Sequence, residues 1–271
     1  MSDETFATHE RRGWNRNAAA YDEIDLPTTV QAFGPMLDSL GRLNGVELLE
    51  IAAGTGQLAR QALQRGATVT GIDVAPNMVA VAQVSCPGAT FREADAEALP
   101  FDDGAFDAAL CCFGLLHMEH PERAIREAAR VLRPAGRFAF TVWASPENGN
   151  EFFGRILGAY QAHANFDVGL PPAPPMFELA EPAGHEPVLR GAGFGDITIA
   201  ALPIEWPLNG RETIMDFVEK GGVRTRMLHE RQTADVQQRI REVFLDCVDE
   251  YVAAGRDGIP CPAVLVCATK A

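Results

Sequence analysis

Basic residues are scarce in this sequence. Lys and Arg number 23 against 37 Asp and Glu, a formal charge of −14 and a pI near 4.8. A surface this acidic repels phosphate backbones and anionic bilayers, which argues against a nucleic-acid substrate and against stable membrane association. Long apolar runs are missing as well. The longest uncharged one, Ala108 to Leu116, falls far short of the roughly 20 residues of a membrane span. Six cysteines are present, but none forms a CxxC pair and no His cluster stands at zinc spacing, so no structural metal is expected. Met1 to Arg12 is polar and lacks the apolar core of a signal peptide. The expectation is a cytoplasmic protein with free thiols. No internal repeat is visible, and no low-complexity tract beyond a run of prolines at 171–175.

What is present is a chain of 271 residues, 47% hydrophobic and 22% charged, enough for one large domain or a core with an appended cap. From residue 46 strand and helix patterns alternate. Val46 to Ala52 reads as a buried strand, followed by Gly54 and Gly56 and then by Leu58, Ala59, Ala62 and Leu63 at helical spacing. Gly66 closes that helix. Ala67 to Asp73 is a second strand. Pro76 opens a helix to about Ser85, and Ala89 to Arg92 is a third strand. Phe106 to Phe113 is a fourth. Pro121 opens a helix that ends before a Pro134-Ala135-Gly136 turn, and Arg137 to Trp143 is a fifth strand. Such alternation predicts a parallel sheet covered on both faces.

After Trp143 the pattern predicts a helix over Phe152 to Phe166, an extended proline segment, a helix over Glu186 to Ala192 and a strand over Asp196 to Leu202. A long amphipathic helix over Thr233 to Ala254 and a last strand over Ala263 to Ala268 follow. The sheet therefore has seven strands, with mostly helical insertions between the fifth and sixth and between the sixth and seventh. The expected division is gate helices at 1–44, a cofactor-binding core at 45–144, and a cap at 145–271 interleaved with the last two strands.

The chemistry concentrates at strand ends. Gly54 and Gly56 at the first strand-to-helix turn let backbone amides approach a ligand, and the helix N-terminus adds partial positive charge. Asp73, seventeen residues after Gly56 at the end of the second strand, suits the two hydroxyls of a ribose, and also suits a helix N-cap. The stretch Gly54-Thr55-Gly56-Gln57-Leu58-Ala59 fits the dinucleotide fingerprint too. Glu50 ahead of the glycine turn and Asp95-Ala96 after the third strand point elsewhere, towards the acid pattern of methyltransferases.

The chain resembles the class I S-adenosylmethionine (SAM)-dependent methyltransferases, in particular the group of the ubiquinone and menaquinone C-methyltransferases. The resemblance rests on Leu49 to Gly56, Val69 to Asp73, Ala94 to Phe101, Phe106 to Phe113, Leu116-His117 and Glu127 to Gly136. Two departures stand out: Ala52-Ala53 where Gly or Cys is frequent, and Pro134-Ala135-Gly136 in place of Pro-Gly-Gly. The resemblance implies a Rossmann-like sheet of order 3-2-1-4-5-7-6 with strand 7 antiparallel. It implies SAM across strands one, two and four, with Ala52, Gly54, Thr55 and Gly56 under its methionine part and Glu50 beside them. Asp73 holds the ribose, Met78 packs on the adenine, and Asp95 and Ala96 meet its edge. Phe113 borders the methyl-transfer site, and Tyr21 closes over the amino-acid end.

Methyl transfer from a sulfonium needs alignment and exclusion of water, with a general base where the acceptor loses a proton. His117, at the end of the fourth strand, is the candidate base; its other reading is a hydrogen bond within the loop. His120, His163, His185, His229, Glu119 and Glu205 are secondary candidates. Phe152, Phe153, Tyr160, Phe166, Phe177, Trp206, Phe217 and Phe244 in the insertions suit an apolar or aromatic small-molecule acceptor, or else form the core of the cap. The proline segment and the cap offer a surface for a homodimer. Two alternatives stand beside this reading. One is a nicotinamide-dependent oxidoreductase, for which a Tyr-x-x-x-Lys pair is lacking. The other is a SAM binder that does not methylate, a cyclase or a regulator.

Overall fold

The computed structural model describes residues 5–271; Met1 to Glu4 of the expected gate segment lie outside the described residues. Four helices precede the sheet: α1 (Phe6–Asn17), α2 (Tyr21–Ile24), α3 (Leu26–Thr29) and α4 (Phe33–Ser39). Thr5 caps α1 by accepting from the Thr8 amide. The alternating part then runs β1 (Glu47–Ile51), α5 (Gln57–Gln64), β2 (Thr68–Asp73), α6 (Pro76–Ser85), β3 (Thr90–Glu93), β4 (Phe106–Cys112), α7 (Pro121–Val131) and β5 (Leu132–Trp143). It continues with α8 (Glu151–His163), α9 (Pro182–Gly191), β6 (Phe194–Leu202), β7 (Glu205–Pro207), α10 (Thr213–Asp216), α11 (Val223–Glu230), α12 (Ala234–Ala253), β8 (Gly258–Pro260) and β9 (Ala263–Lys270).

The main sheet has the order β3-β2-β1-β4-β5-β9-β6. β1 to β5 are parallel, and β9 runs antiparallel between β5 and β6. This is the expected topology, since β9 is the seventh strand of the sheet in chain order. Strand residues alternate between two cores, as a two-residue side-chain period requires. Leu48, Leu110, Ala139, Leu265 and Cys267 join α4, α5 and the cap on one face. Leu49, Ile51, Ala109, Phe138, Phe140 and Val266 join α7 and α9 on the other.

One local difference from the sequence reading and two features it left open have physical causes. The segment Pro134 to Gly136 belongs to the start of β5: Leu132 already pairs with Phe106, and the register shifts before Ala108 pairs with Arg137. Ala135 takes φ 61° there, a conformation glycine adopts freely. The second insertion is not wholly helical, because β7 and β8 pair as a separate two-stranded ribbon; three residues ending in Pro207 carry too little alternation to announce a strand. The cap aromatics are core rather than an open pocket. Phe152 stacks on Trp206 at 4.1 Å with 3° between planes, and Phe153, Phe217 and Phe244 are buried with them. Burying such rings stabilises the cap by about 1.5–3 kcal/mol each. Phe166 stands apart and is exposed.

Candidate active site

The turn between β1 and α5 is a cradle. Gly54 and Gly56 have φ of 53° and 79°, and a Cβ on Gly56 would meet Phe91 and Ala82 at 3.0–3.1 Å. Asp73 at the end of β2 holds this turn open. One carboxylate oxygen accepts from the Gly54 amide and the other from the Ala75 amide, each at 2.9 Å. Asp73 thus bridges the glycine turn and the entry to α6, whose N-cap position is Ala75 rather than Asp73. Burial pushes its carboxyl up to about 6, against the opposing pull of those amides and of His117.

Glu50 is buried in β1, and its Oε2 has no hydrogen-bond partner among the described residues. Desolvation pushes it up to about 8. Ala52 sits in the left-handed region at φ 56°, its Cβ filling the space beside Gly114. Thr55 is buried, and its hydroxyl donates to Asp22 at 2.5 Å, while Gln57 Nε2 donates to the other Asp22 oxygen at 2.9 Å. Asp22 therefore ties α2 to the turn, and Tyr21 beside it reaches within 3.8 Å of the Cβ position of Gly54. Burial first, and the Asp25 charge second, push the Tyr21 phenol up, so it remains a donor.

Met78 is buried on α6 with Ala18 and Ala75, and Trp14 and Tyr21 pack against them. Asp95 is exposed, its Oδ1 accepting from the Glu97 amide at 2.9 Å, whereas Ala96 packs in the α7-side core. Phe113 follows β4 with φ 54°. Its amide bonds Thr141, and its ring stacks on Trp143 at 3.9 Å.

Glu10 was not legible in the sequence as a site residue. It is buried on α1, and its Oε2 lies 2.8 Å from His117 Nδ1 and 3.1 Å from Trp14 Nε1. A carboxylate only accepts, so Nδ1 donates to it; in the neutral imidazole this leaves the lone pair on Nε2. Asp25 was missed too: it is buried near Tyr21 and Gly221, with Oδ2 unpartnered among the described residues. Among the described residues, His120, His163, His185, His229, Glu119 and Glu205 make no hydrogen bond to Glu10, Trp14 or His117. His185, for one, bonds the Leu179 carbonyl inside the α9 core.

Glycine cradle, unsatisfied Glu50 oxygen and strand-end Asp73 fit a nucleoside ligand with a cationic amino-acid end. Residues 49–140 match the family model described as a methyltransferase domain. A demethylmenaquinone methyltransferase of Tropheryma whipplei is 35% identical over 143 residues, 50% of this chain and 59% of that protein, so this chain spans less than two thirds of that relative. A putative methyltransferase of Bacillus halodurans superposes with a TM-score of 0.60 at 18% identity, covering 88% of this chain and 98% of that one. That likeness shows the fold. The [4+2]-cyclase SpnF superposes with a TM-score of 0.53 at 26% identity, covering 89% of this chain and 80% of its own. Residues 49–140 are thus similar to a methyltransferase domain, and the strand order and the glycine turn agree with that likeness.

Proposed function

We propose that this chain transfers a methyl group from SAM to a small, largely apolar or aromatic metabolite. The observation that carries the reading is the cradle of Gly54 and Gly56 pinned by Asp73. SAM, when bound, supplies a methyl group already activated on a sulfonium. The chain holds it with Ala52, Gly54, Thr55 and Gly56 beneath, Glu50 and Asp73 as acceptors, Met78 as the apolar platform, and Asp95 and Ala96 at the base edge. Tyr21 and Trp14 exclude water. Phe113 and Trp143, stacked at 3.9 Å, form an aromatic wall that guides the acceptor. His117 Nε2 takes the acceptor's proton, and Glu10 holds the imidazole in the tautomer that permits it. Residues 1–44 act as the gate, 45–144 as the cofactor core and 145–271 as the cap. The relative's name supports an aromatic acceptor class. Six free cysteines support a reducing, cytoplasmic compartment; among the described residues no helix is long and apolar enough to cross a membrane.

The likeness to SpnF favours a second reading, a cyclase on the same scaffold. The test is calorimetric titration with SAM, S-adenosylhomocysteine and NAD, beside Asp73→Ala, followed by turnover with aromatic acceptors. Binding of the two sulfur nucleosides, lost in the variant, with a product heavier by one methylene unit, supports the transferase. Binding with an isomeric product supports the cyclase. NAD binding alone overturns both.

A further inference from the structure

In a chain of charge −14, arginines converge on one cavity of about 330 Å³ between α1 and α11. Arg12 and Arg16 reach it from α1, and Arg226 and Arg231 from α11 and its C-terminal end. Gly13 and Met227 also line it, and the one acid in the lining is Glu230. Arg12 also makes other contacts, so the argument rests on the remaining three. Glu230 accepts from Arg16 at 3.1 Å and stands 3.9 Å from Arg226 Nε. One carboxylate thus faces two guanidinium groups, with Arg231 a third on the same lining.

Arg226 anchors the site. Its side chain is 5% exposed. Nη1 donates to Asn17, while Nε has no hydrogen-bond partner among the described residues. Burial first, then the like charge of Arg16, push its guanidinium down from the ordinary value. A buried guanidinium with an open donor is costly unless an anion completes it. Guanidinium forks match phosphate oxygens in pairs, and several of them suit a dianion better than a single carboxylate does. A cavity of this size also lies in the range of small-molecule sites, about 300 Å³ upward.

We propose that this cavity binds the phosphate group of a small phosphorylated metabolite, and that the bound phosphate clamps α1 to α11. The site lies on the α11 side of α1, while Glu10 and Trp14 on another face of the same helix serve the candidate active site. Fixing α1 therefore couples phosphate and SAM affinities by the same factor in both directions. This coupling rests on the function proposed above; the anion site itself does not.

The probes are inorganic phosphate and ribose 5-phosphate, with ribose as control, titrated calorimetrically into the full chain at constant ionic strength. Both phosphates are expected to bind and ribose not. Tighter binding of the ester identifies an esterified ligand, and equal binding identifies free phosphate. Arg226→Met is expected to abolish binding. The rim substitution Arg231→Gln, at an exposed position where folding is not at risk, is expected to weaken it about tenfold, the worth of one charge-assisted hydrogen bond. Hydrogen exchange of residues 6–17 should slow with phosphate bound. Absence of binding by either phosphate, or equal binding by wild type and Arg231→Gln, overturns the site. Phosphate binding that leaves SAM affinity unchanged, in a chain that does bind SAM, overturns the clamp.

Discussion

Glu10 and His117, 107 residues apart in the chain, meet through a 2.8 Å contact between carboxylate and imidazole. The pair joins the gate helix α1 to the loop after β4, and Trp14 donates to the same carboxylate oxygen. An i,i+4 pair on α1 and a histidine that no sequence pattern connects to it thus form one unit at the mouth of the candidate site.

Removing that carboxylate should loosen the gate. Glu10→Ala loses two hydrogen bonds to a buried charged acceptor, about 1.5–3 kcal/mol each at most. Amide exchange over residues 6–17 is expected to rise about tenfold or more, with the sheet amides unchanged. Glu10→Gln, which keeps the shape but presents an amide, should lower kcat more than it raises KM. Unchanged exchange in Glu10→Ala would show that the contact contributes nothing to docking.

Gly13 sets how closely α1 approaches α11. A Cβ at this position would lie 2.2 Å from Val223 Cγ1, far inside van der Waals contact. Gly13→Ala is expected to push α1 outward and weaken SAM binding, although alanine favours helix by up to about 1 kcal/mol. Val223→Ala in the same chain should restore it. Calorimetry on the single and double variants decides, since rescue distinguishes crowding from a change in helix propensity.

Asp25 gives stability a pH dependence of definite sign. Burial pushes its carboxyl from 3.8 to about 7, so the folded state holds the proton more tightly than the unfolded one. Stability is then greatest below the unfolded value and falls as pH rises through about 7. Glu50, raised to about 8, and Asp73, raised to about 6, act in the same direction. Asp25→Asn is expected to raise the melting temperature by about 4 °C at roughly pH 8 and by little at roughly pH 4. Scanning calorimetry at the two pH values reads this, and an equal effect at both would contradict it.

Ala135 occupies a left-handed conformation, φ 61°, where the resemblance has glycine in Pro-Gly-Gly. Ala135→Gly is expected to stabilise by about 0.5–1 kcal/mol, offset in part by the greater freedom of glycine in the unfolded chain. The neighbouring change behaves oppositely. A Cβ on Gly136 would stand 2.8 Å from the Arg133 carbonyl and 3.0 Å from that of Asp107, so Gly136→Ala should destabilise. Denaturant midpoints of both variants test the pair.

Much of the architecture was legible because it is written in local chemistry. Pro76 opens α6 and Ser85 ends it as read; the alternation of Leu48, Leu49 and Ile51 places β1 between two cores; and glycines with positive φ mark the cradle. Thr233 caps the long helix α12. These depend on propensity, capping and side-chain period, which act within a few residues and survive any tertiary context that buries one face or both. The motif order from Leu49 to Gly136 then implied which strand ends would face the cofactor.

Other features depended on distance through space. Nothing near Glu10 announces His117, and nothing near Asn17 announces Arg226, which lies 209 residues away. The cap aromatics carried two readings until the stacking of Phe152 on Trp206 decided for core. The arginine cavity exists only because α1 and α11 pack with Gly13 against Val223. By itself the sequence determined the strands of the main sheet, the helices between its first five strands, their order and the glycine turn, since each is a short-range consequence of residue chemistry. Only the tertiary structure decided which buried charges meet, which stay unpaired and which helix lies over the site, because electrostatics and packing act between groups that the chain brings together only on folding.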